Sequence, residues 1–388
     1  MKKICIVTAT RAEYGLLLPL IKRIHSDSEL KLMLAVTGAH LDARYGSTKT
    51  EIEGDGFPVD ACLPILEQED TREAVGKVMA NAITGFSAYF SARRPDMVVL
   101  LGDRYETMGI ALAALICQTP IAHIHGGETT EGVMDEAFRH AITKMSYLHF
   151  TACETYRRRI IQLGEAPERV FNVGALGVEN IKTLPLLSRA KVAEQIGFSM
   201  EQPYALVTFH PVTLEDHTQG EQTRTLFEAL DRFPQLRLIF TKSNADSGGL
   251  EINQQIDSYV AGNTERSIAF FSMGYLRYLS AMQYCAMVIG NSSSGILEAP
   301  ACRVPTIDIG DRQKGRLAAP TVIHCDVSCA SIVSGIEKAL SPEFRQLCTT
   351  AENPFGNGHT SERIVTIIKE TLNAGISLKK KFYDVQFP

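Results

Sequence analysis

Residues 97–128, MVVLLGDRYETMGIALAALICQTPIAHIHGGE, decide the fold class. An apolar run from Met97 to Leu101 stops at a glycine and an acid. Apolar residues then recur at helical spacing from about Tyr105 to Cys117, before a second apolar run, Ile121 to Ile124, stops at His125-Gly126-Gly127-Glu128. A strand that is apolar at every position has no polar face to offer water, so it is covered on both sides. Such strands alternating with helices predict a parallel sheet sandwiched between helical layers.

Working outward, the same alternation recurs. Ile4 to Val7 reads as a strand and Leu16, Leu17, Leu20, Ile21 and Ile24 as the apolar stripe of a helix; Leu32 to Val36 is a further strand, and a helix follows from Asp135 to Met145. A second series follows Leu184-Pro185 and Pro203, with candidate strands at Ala205–Phe209, Leu236–Phe240, Ile268–Phe271, Met287–Ile289, Thr306–Ile309 and Thr321–His324. The expected architecture is α/β, with two Rossmann-like domains facing across a cleft. Residues 1–175 form the first and 176–365 the second, and 366–388 is a tail that packs back on the first. The chain of 388 residues agrees with this at roughly 150 residues per domain.

Composition narrows the function classes. Hydrophobic residues are 45% and charged residues 21%, as in an ordinary globular protein. A formal charge of −5 supplies no basic field for nucleic acid or an anionic membrane, so neither is an expected partner. The nine cysteines show no CxxC and no zinc spacing; they read as reduced thiols used in packing, and no metal is expected. The apolar run Ile4 to Val7 is too short for a signal peptide, and no membrane-spanning run follows, which points to the cytoplasm.

In parallel α/β sheets ligands sit beyond the carboxyl ends of the strands, so the polar residues there are the candidates. The first strand leads into Thr8-Ala9-Thr10-Arg11-Ala12-Glu13-Tyr14-Gly15, which is not a dinucleotide fingerprint, and no nicotinamide cofactor is expected. Arg11 stands at a strand-to-helix turn, where a guanidinium and helical N–H groups hold phosphate. Asp103, His125 and Glu128 follow two strands, and Asp135 opens a helix, where an acid also serves as a cap. Carboxylates gathered at one edge suit proton transfer, because proximity separates their pKa values.

In the second half, His210 follows one strand and Gly290-Asn291-Ser292-Ser293-Ser294-Gly295 another. Hydroxyls and N–H groups at such a turn predict a phosphate cradle with Ser292 and Ser293 as its side chains. Glu298, one helical turn on, suits ribose hydroxyls, and Arg312 in Gly310-Asp311-Arg312-Gln313 adds a guanidinium. Arg11, His210 and Arg312 then neutralise a diphosphate leaving group without magnesium.

Taken together, TRAEYG (10–15), VTGAH (36–40), GDRYE (102–106), DEAFRHAITK (135–144), FHPVT (209–213), GNSS (290–293) and DIGDRQ (308–313) resemble the hydrolysing UDP-N-acetylglucosamine 2-epimerases. The resemblance covers most of the chain. It implies a glycosyltransferase-B type fold, no added cofactor and a homodimer or dimer of dimers. It also implies elimination of UDP to a 2-acetamidoglycal, followed by hydration with inversion at C2. Asp103 and Asp135 match the family's catalytic acids. Arg11, Arg104, His210, Ser292, Ser293, Glu298 and Arg312 match residues that hold the UDP-sugar. Where the sialic-acid branch carries Glu-Gly-Gly-Glu, this chain has His125, and its loop from Glu128 to Asp135 is one residue longer. Both departures fit a 2,4-diacetamido-2,4,6-trideoxy substrate, with plain UDP-N-acetylglucosamine as the alternative. A non-hydrolysing epimerase, a glycosyltransferase of the same fold and a catalytically silent nucleotide-sugar sensor are the competing readings.

Overall fold

The computed structural model describes residues 1–386 except 70, 213, 216, 217, 244, 245 and 247. Its first sheet has seven strands: β1 (Lys2–Thr8), β2 (Leu30–Thr37), β3 (Val59–Leu63), β4 (Met97–Leu101), β5 (Ile121–Ile124), β6 (Leu148–Thr151) and β7 (Val170–Asn172). They lie in the order β3-β2-β1-β4-β5-β6-β7, every neighbouring pair parallel. The second sheet has six: β8 (Tyr204–Thr208), β9 (Arg237–Thr241), β10 (Ser267–Phe270), β11 (Met287–Gly290), β12 (Thr306–Ile309) and β13 (Val322–Cys325). Their order is β10-β9-β8-β11-β12-β13, again all parallel.

Alternation along β1 shows why this sequence needs both helical layers. Ile4 and Ile6 point into one core with Leu17, Ile21 and Ile24 of the helix Arg11–Ser26. Cys5 and Val7 point into the opposite core, with Val78 and Phe86 of the helix Arg72–Arg93 and Ile110 and Ala114 of the helix Tyr105–Ile116. Each fully buried large aliphatic contributes about 1.5–3 kcal/mol over its exposed state. The strands missed by sequence reading, β3, β6 and β7, carry Asp60, His149 and Asn172, which interrupt the apolar signal.

The chain resolves into two compact units whose limits differ from expectation. The first comprises Met1–Glu128, Asp135–Lys182 and the C-terminal segment from Phe355; the second comprises Thr129–Met134 and Thr183–Pro354. The break expected after residue 175 falls after Lys182, because the helix Leu176–Thr183 is bonded into the first unit. Asn180 Nδ2 donates to the Gly15 carbonyl at 3.0 Å, and Glu179 accepts from both the N–H and the hydroxyl of Ser361. The return expected at 366 begins earlier, at Phe355, and the helix Thr360–Ala374 places Ile364 and Ile368 in the core of the first unit.

Strand order reverses direction between β1 and β4 in one sheet and between β8 and β11 in the other. Such switch points leave a crevice beyond the carboxyl ends of the two strands, with the loops parting on either side. The candidate residues after β1, β4, β8 and β11 all stand there.

Candidate active site

In the first unit the organising side chain is Arg139, on the helix Asp135–Met145. It is fully buried, an arginine on the inward face of an amphipathic helix, one turn before buried Ile142. Its Nε donates to Asp103 Oδ2 at 2.7 Å, and a second guanidinium nitrogen reaches the same oxygen. The remaining nitrogen donates to the Glu128 carbonyl at 3.0 Å and to Glu136 Oε2 at 2.5 Å. One guanidinium thus fixes the turns after β4 and β5 and the first turn of its own helix. Sequence reading quoted Arg139 and Glu136 within a motif but gave neither a role; their signal is the i, i+3 pairing on a buried face.

His125 closes β5 in a left-handed backbone conformation, φ +68°, which a β-carbon disfavours. Its N–H donates to the Phe150 carbonyl of β6 at 2.9 Å. The Nδ1 faces Glu128 Oε1 at 3.0 Å, both side chains being buried, and Nε2 has no partner among the described residues. An imidazole oriented by a carboxylate on one nitrogen, with the other nitrogen buried and unbonded, can give or take a proton. Asp135 is the first residue inside its helix, half-buried, so its charge complements the helix N-terminus from within rather than from the flanking cap position.

A missed histidine lies beneath this cluster. His123 of β5 is fully buried, and its Nε2 bonds the carbonyl of Gly102, the residue before Asp103, at 2.8 Å. Burial lowers its pKa to about 4, so the ring is neutral near pH 7 and Nε2 carries the proton it donates. Apolar neighbours on a buried strand concealed it in the sequence.

After β1, Arg11 opens its helix and is half-buried. Thr10 and Glu13 cap that helix reciprocally: the Thr10 hydroxyl accepts from Glu13 N–H at 3.4 Å, and Glu13 Oε2 accepts from Ala9 N–H at 2.7 Å. Burial raises the Glu13 carboxyl to about 7, against the Ala9 N–H and the Arg104 charge, which favour its ionised form. Arg104, expected to hold substrate, forks onto buried Glu106 with two bonds of 3.1 Å, so in this structure it braces the turn after β4.

In the second unit the organiser is Asn291, also fully buried. Its side-chain amide mimics a strand partner for His210, accepting from the His210 N–H at 2.7 Å and donating to the His210 carbonyl at 2.8 Å. The Asn291 carbonyl accepts from Arg312 at 3.0 Å and from Gln313 at 2.8 Å. Loops after β8, β11 and β12 are therefore joined at one residue. His210 Nδ1 lies 3.0 Å from the Ser243 hydroxyl; Thr213, at the end of the FHPVT motif, lies outside the described residues. Ser292 caps the following helix and Ser293 begins it, both half-exposed, whereas Ser294 accepts a bond from Tyr278. That helix, Ser293–Leu297, has only 5 residues, so the hydroxyls and the Arg312 guanidinium matter more than its dipole. Glu298 is buried at its end, its N–H bonded to the Ser294 carbonyl at 3.0 Å.

A family profile described as UDP-N-acetylglucosamine 2-epimerase matches residues 22–369. The chain belongs to that family. Within it, the chain is 40% identical to the GDP/UDP-N,N'-diacetylbacillosamine 2-epimerase (hydrolyzing) of Campylobacter jejuni, over 99% of both chains. It is 34% identical to the UDP-N,N'-diacetylbacillosamine 2-epimerase (hydrolyzing) of Legionella pneumophila, over 95% of this chain and 96% of that one. The fold is that of the UDP-GlcNAc 2-epimerase from Neisseria meningitidis solved with UDP-GlcNAc, at a TM-score of 0.79 and 18% identity, covering 95% of this chain and 100% of that one. This family member is therefore an enzyme of the 2-epimerase class with two glycosyltransferase-B type α/β domains. Among its described residues no helix is long and apolar enough to cross a membrane.

Proposed function

We propose that this enzyme is a hydrolysing 2-epimerase acting on a UDP-2,4-diacetamido-2,4,6-trideoxy sugar, with release of UDP and the free C2-inverted manno sugar for legionaminic-acid-type synthesis. The observation that carries the reading is the Asp103–Arg139 pair bonded through Glu128 to the His125 imidazole. Inversion at C2 by elimination and hydration needs two proton-transfer groups, one for each face of the ring. A carboxylate held by a guanidinium and an imidazole held by a carboxylate are those two groups.

The chemistry balances as follows. A base takes the C2 proton, the C2–H electrons form the C1–C2 double bond, and the C1–O electrons leave with UDP. Water then adds its oxygen to C1 while an acid delivers a proton to C2 from the opposite face, and the proton that water gives up restores that acid. Arg11, Arg312, His210 and the Ser292 and Ser293 hydroxyls stabilise the departing diphosphate. Glu298 holds the ribose.

The choice of a 4-acetamido substrate is supported by His125 and by the names of the two relatives. With its Nδ1–H turned to the Glu128 carboxylate, a neutral His125 presents Nε2 as an acceptor, to which an acetamido N–H can donate at a place where glutamate would put a charge. A cytoplasmic homodimer or dimer of dimers is the assembly this reading carries, checked by sedimentation.

The test is incubation in deuterium oxide with the UDP-diacetamido sugar and, separately, with UDP-N-acetylglucosamine, followed by mass spectrometry. One deuterium at C2 of a free manno sugar, appearing faster from the diacetamido substrate, is expected. In H₂¹⁸O the UDP should carry no label, because the C1–O bond breaks. A UDP-linked epimer as product would replace this reading with the non-hydrolysing one.

A further inference from the structure

The segment Thr129–Met134 follows Glu128 directly and precedes Asp135 directly, yet it packs as part of the second unit. Among its bonds there, the Thr129 hydroxyl donates to the Gly315 carbonyl at 2.5 Å, the Glu131 N–H to the Lys314 carbonyl at 3.1 Å, and the Leu214 N–H to the Gly132 carbonyl at 3.3 Å. At Gly132 the contact leaves no room for a side chain: a β-carbon would stand 2.8 Å from the Asp311 carbonyl oxygen and 3.1 Å from Val212. Three points of one loop, residues 311–315, therefore receive this segment. That loop carries Arg312, and it is tied inward through Gln313 and Arg312 to the Asn291 carbonyl.

Chain length makes the attachment consequential. A peptide extends at most about 3.3–3.6 Å per residue, so a segment this short has little slack to absorb movement of the loop that holds it. The residues at its two ends are Glu128, which orients His125, and Asp135.

We propose that Thr129–Met134 is a positioning strap, which makes the placement of Glu128 and Asp135 depend on the state of the Arg312 loop. The carboxylates then reach their working positions when a nucleoside diphosphate occupies that loop. The proposal rests on the reading above that Arg312 holds the diphosphate. Its chemical consequence is selectivity: a free 2-acetamido sugar, the class of the product, leaves the loop unoccupied and does not lose its C2 proton.

Thr129→Val and Gly132→Val test it, with Thr129→Ser as the conservative control. Displacement by about 1 Å near the chemistry lowers turnover by as much as 10²-fold, so kcat should fall at least about tenfold in the Val variants. In Thr129→Val the UDP dissociation constant from calorimetry and the melting temperature should stay close to the parent values, and Thr129→Ser should recover turnover; Gly132→Val, which must displace the Asp311 carbonyl, should lower the melting temperature as well. A C2-deuterated substrate should show a larger isotope effect on kcat in the Val variants than in the parent, since proton transfer is the step left misaligned. Unchanged kcat and isotope effect in both Val variants would overturn the strap, as would UDP affinity falling in parallel with kcat in Thr129→Val. Failure of the parent enzyme to bind UDP would instead remove the reading beneath it.

Discussion

Asp103 and His125 carry the exposed bets at the scale of single residues. Asp103→Asn preserves shape while removing a proton acceptor, so UDP binding should survive and turnover should fall by about 10²–10⁴-fold. A UDP affinity that drops as far as the rate would move Asp103 out of the chemistry. Arg139→Lys should also lower kcat strongly, because a point ammonium cannot set two nitrogens on Asp103 Oδ2 and also reach the Glu128 carbonyl and Glu136. At position 125 two effects separate. His125→Glu should lower the ratio of activity on the diacetamido substrate to that on UDP-N-acetylglucosamine. His125→Gly should relieve the φ of +68° and hold or raise the melting temperature while abolishing turnover. Equal substrate ratios in parent and Glu variant would take His125 out of discrimination.

Gly290 decides how two strands meet at the scale of elements. It lies at φ +132°, and a β-carbon there would stand 1.9 Å from the Thr208 carbonyl of the neighbouring strand. Gly290→Ala must spread β8 from β11 at the residues that present Asn291 and His210, so UDP affinity should fall together with the melting temperature, by about 3 kcal/mol or more of stability. A normal melting curve would show that the strands have room. Elsewhere β6 and the C-terminal tail share a buried carboxylate. Burial disfavours the Glu165 charge, yet donors from His149, Lys144 and Lys380 hold its carboxyl down to about 2. A group depressed in the folded state stabilises fully above its ordinary value of 4.5, and that contribution is lost as pH falls toward 2. Melting temperature between pH 5 and 2 should therefore fall more steeply in the parent than in Glu165→Gln; parallel curves would contradict this.

For the whole molecule, the proposed mechanism stabilises the leaving group with arginines and hydroxyls alone, so chelator should leave the initial rate nearly unchanged. A strict magnesium requirement would overturn that part of the mechanism. Much of the fold was legible in the chain. Runs such as Met97 to Leu101 and Ile121 to Ile124 are apolar throughout, so they specify buried parallel strands locally, and their ends point to Asp103, His125 and Glu128 without further information. The six strands of the second sheet were readable for the same reason. What local pattern cannot carry is a partnership between residues far apart in the chain. Arg139 meeting Asp103, His123 supporting Gly102, and Asn291 clasping His210 are such pairings, satisfied only when burial leaves each polar group no water to bond. The tertiary structure likewise decided that Leu176 to Lys182 stays with the first unit and that Thr129–Met134 packs with the second. Periodicity marks where an element runs, whereas the cheapest satisfaction of its polar groups determines what it joins.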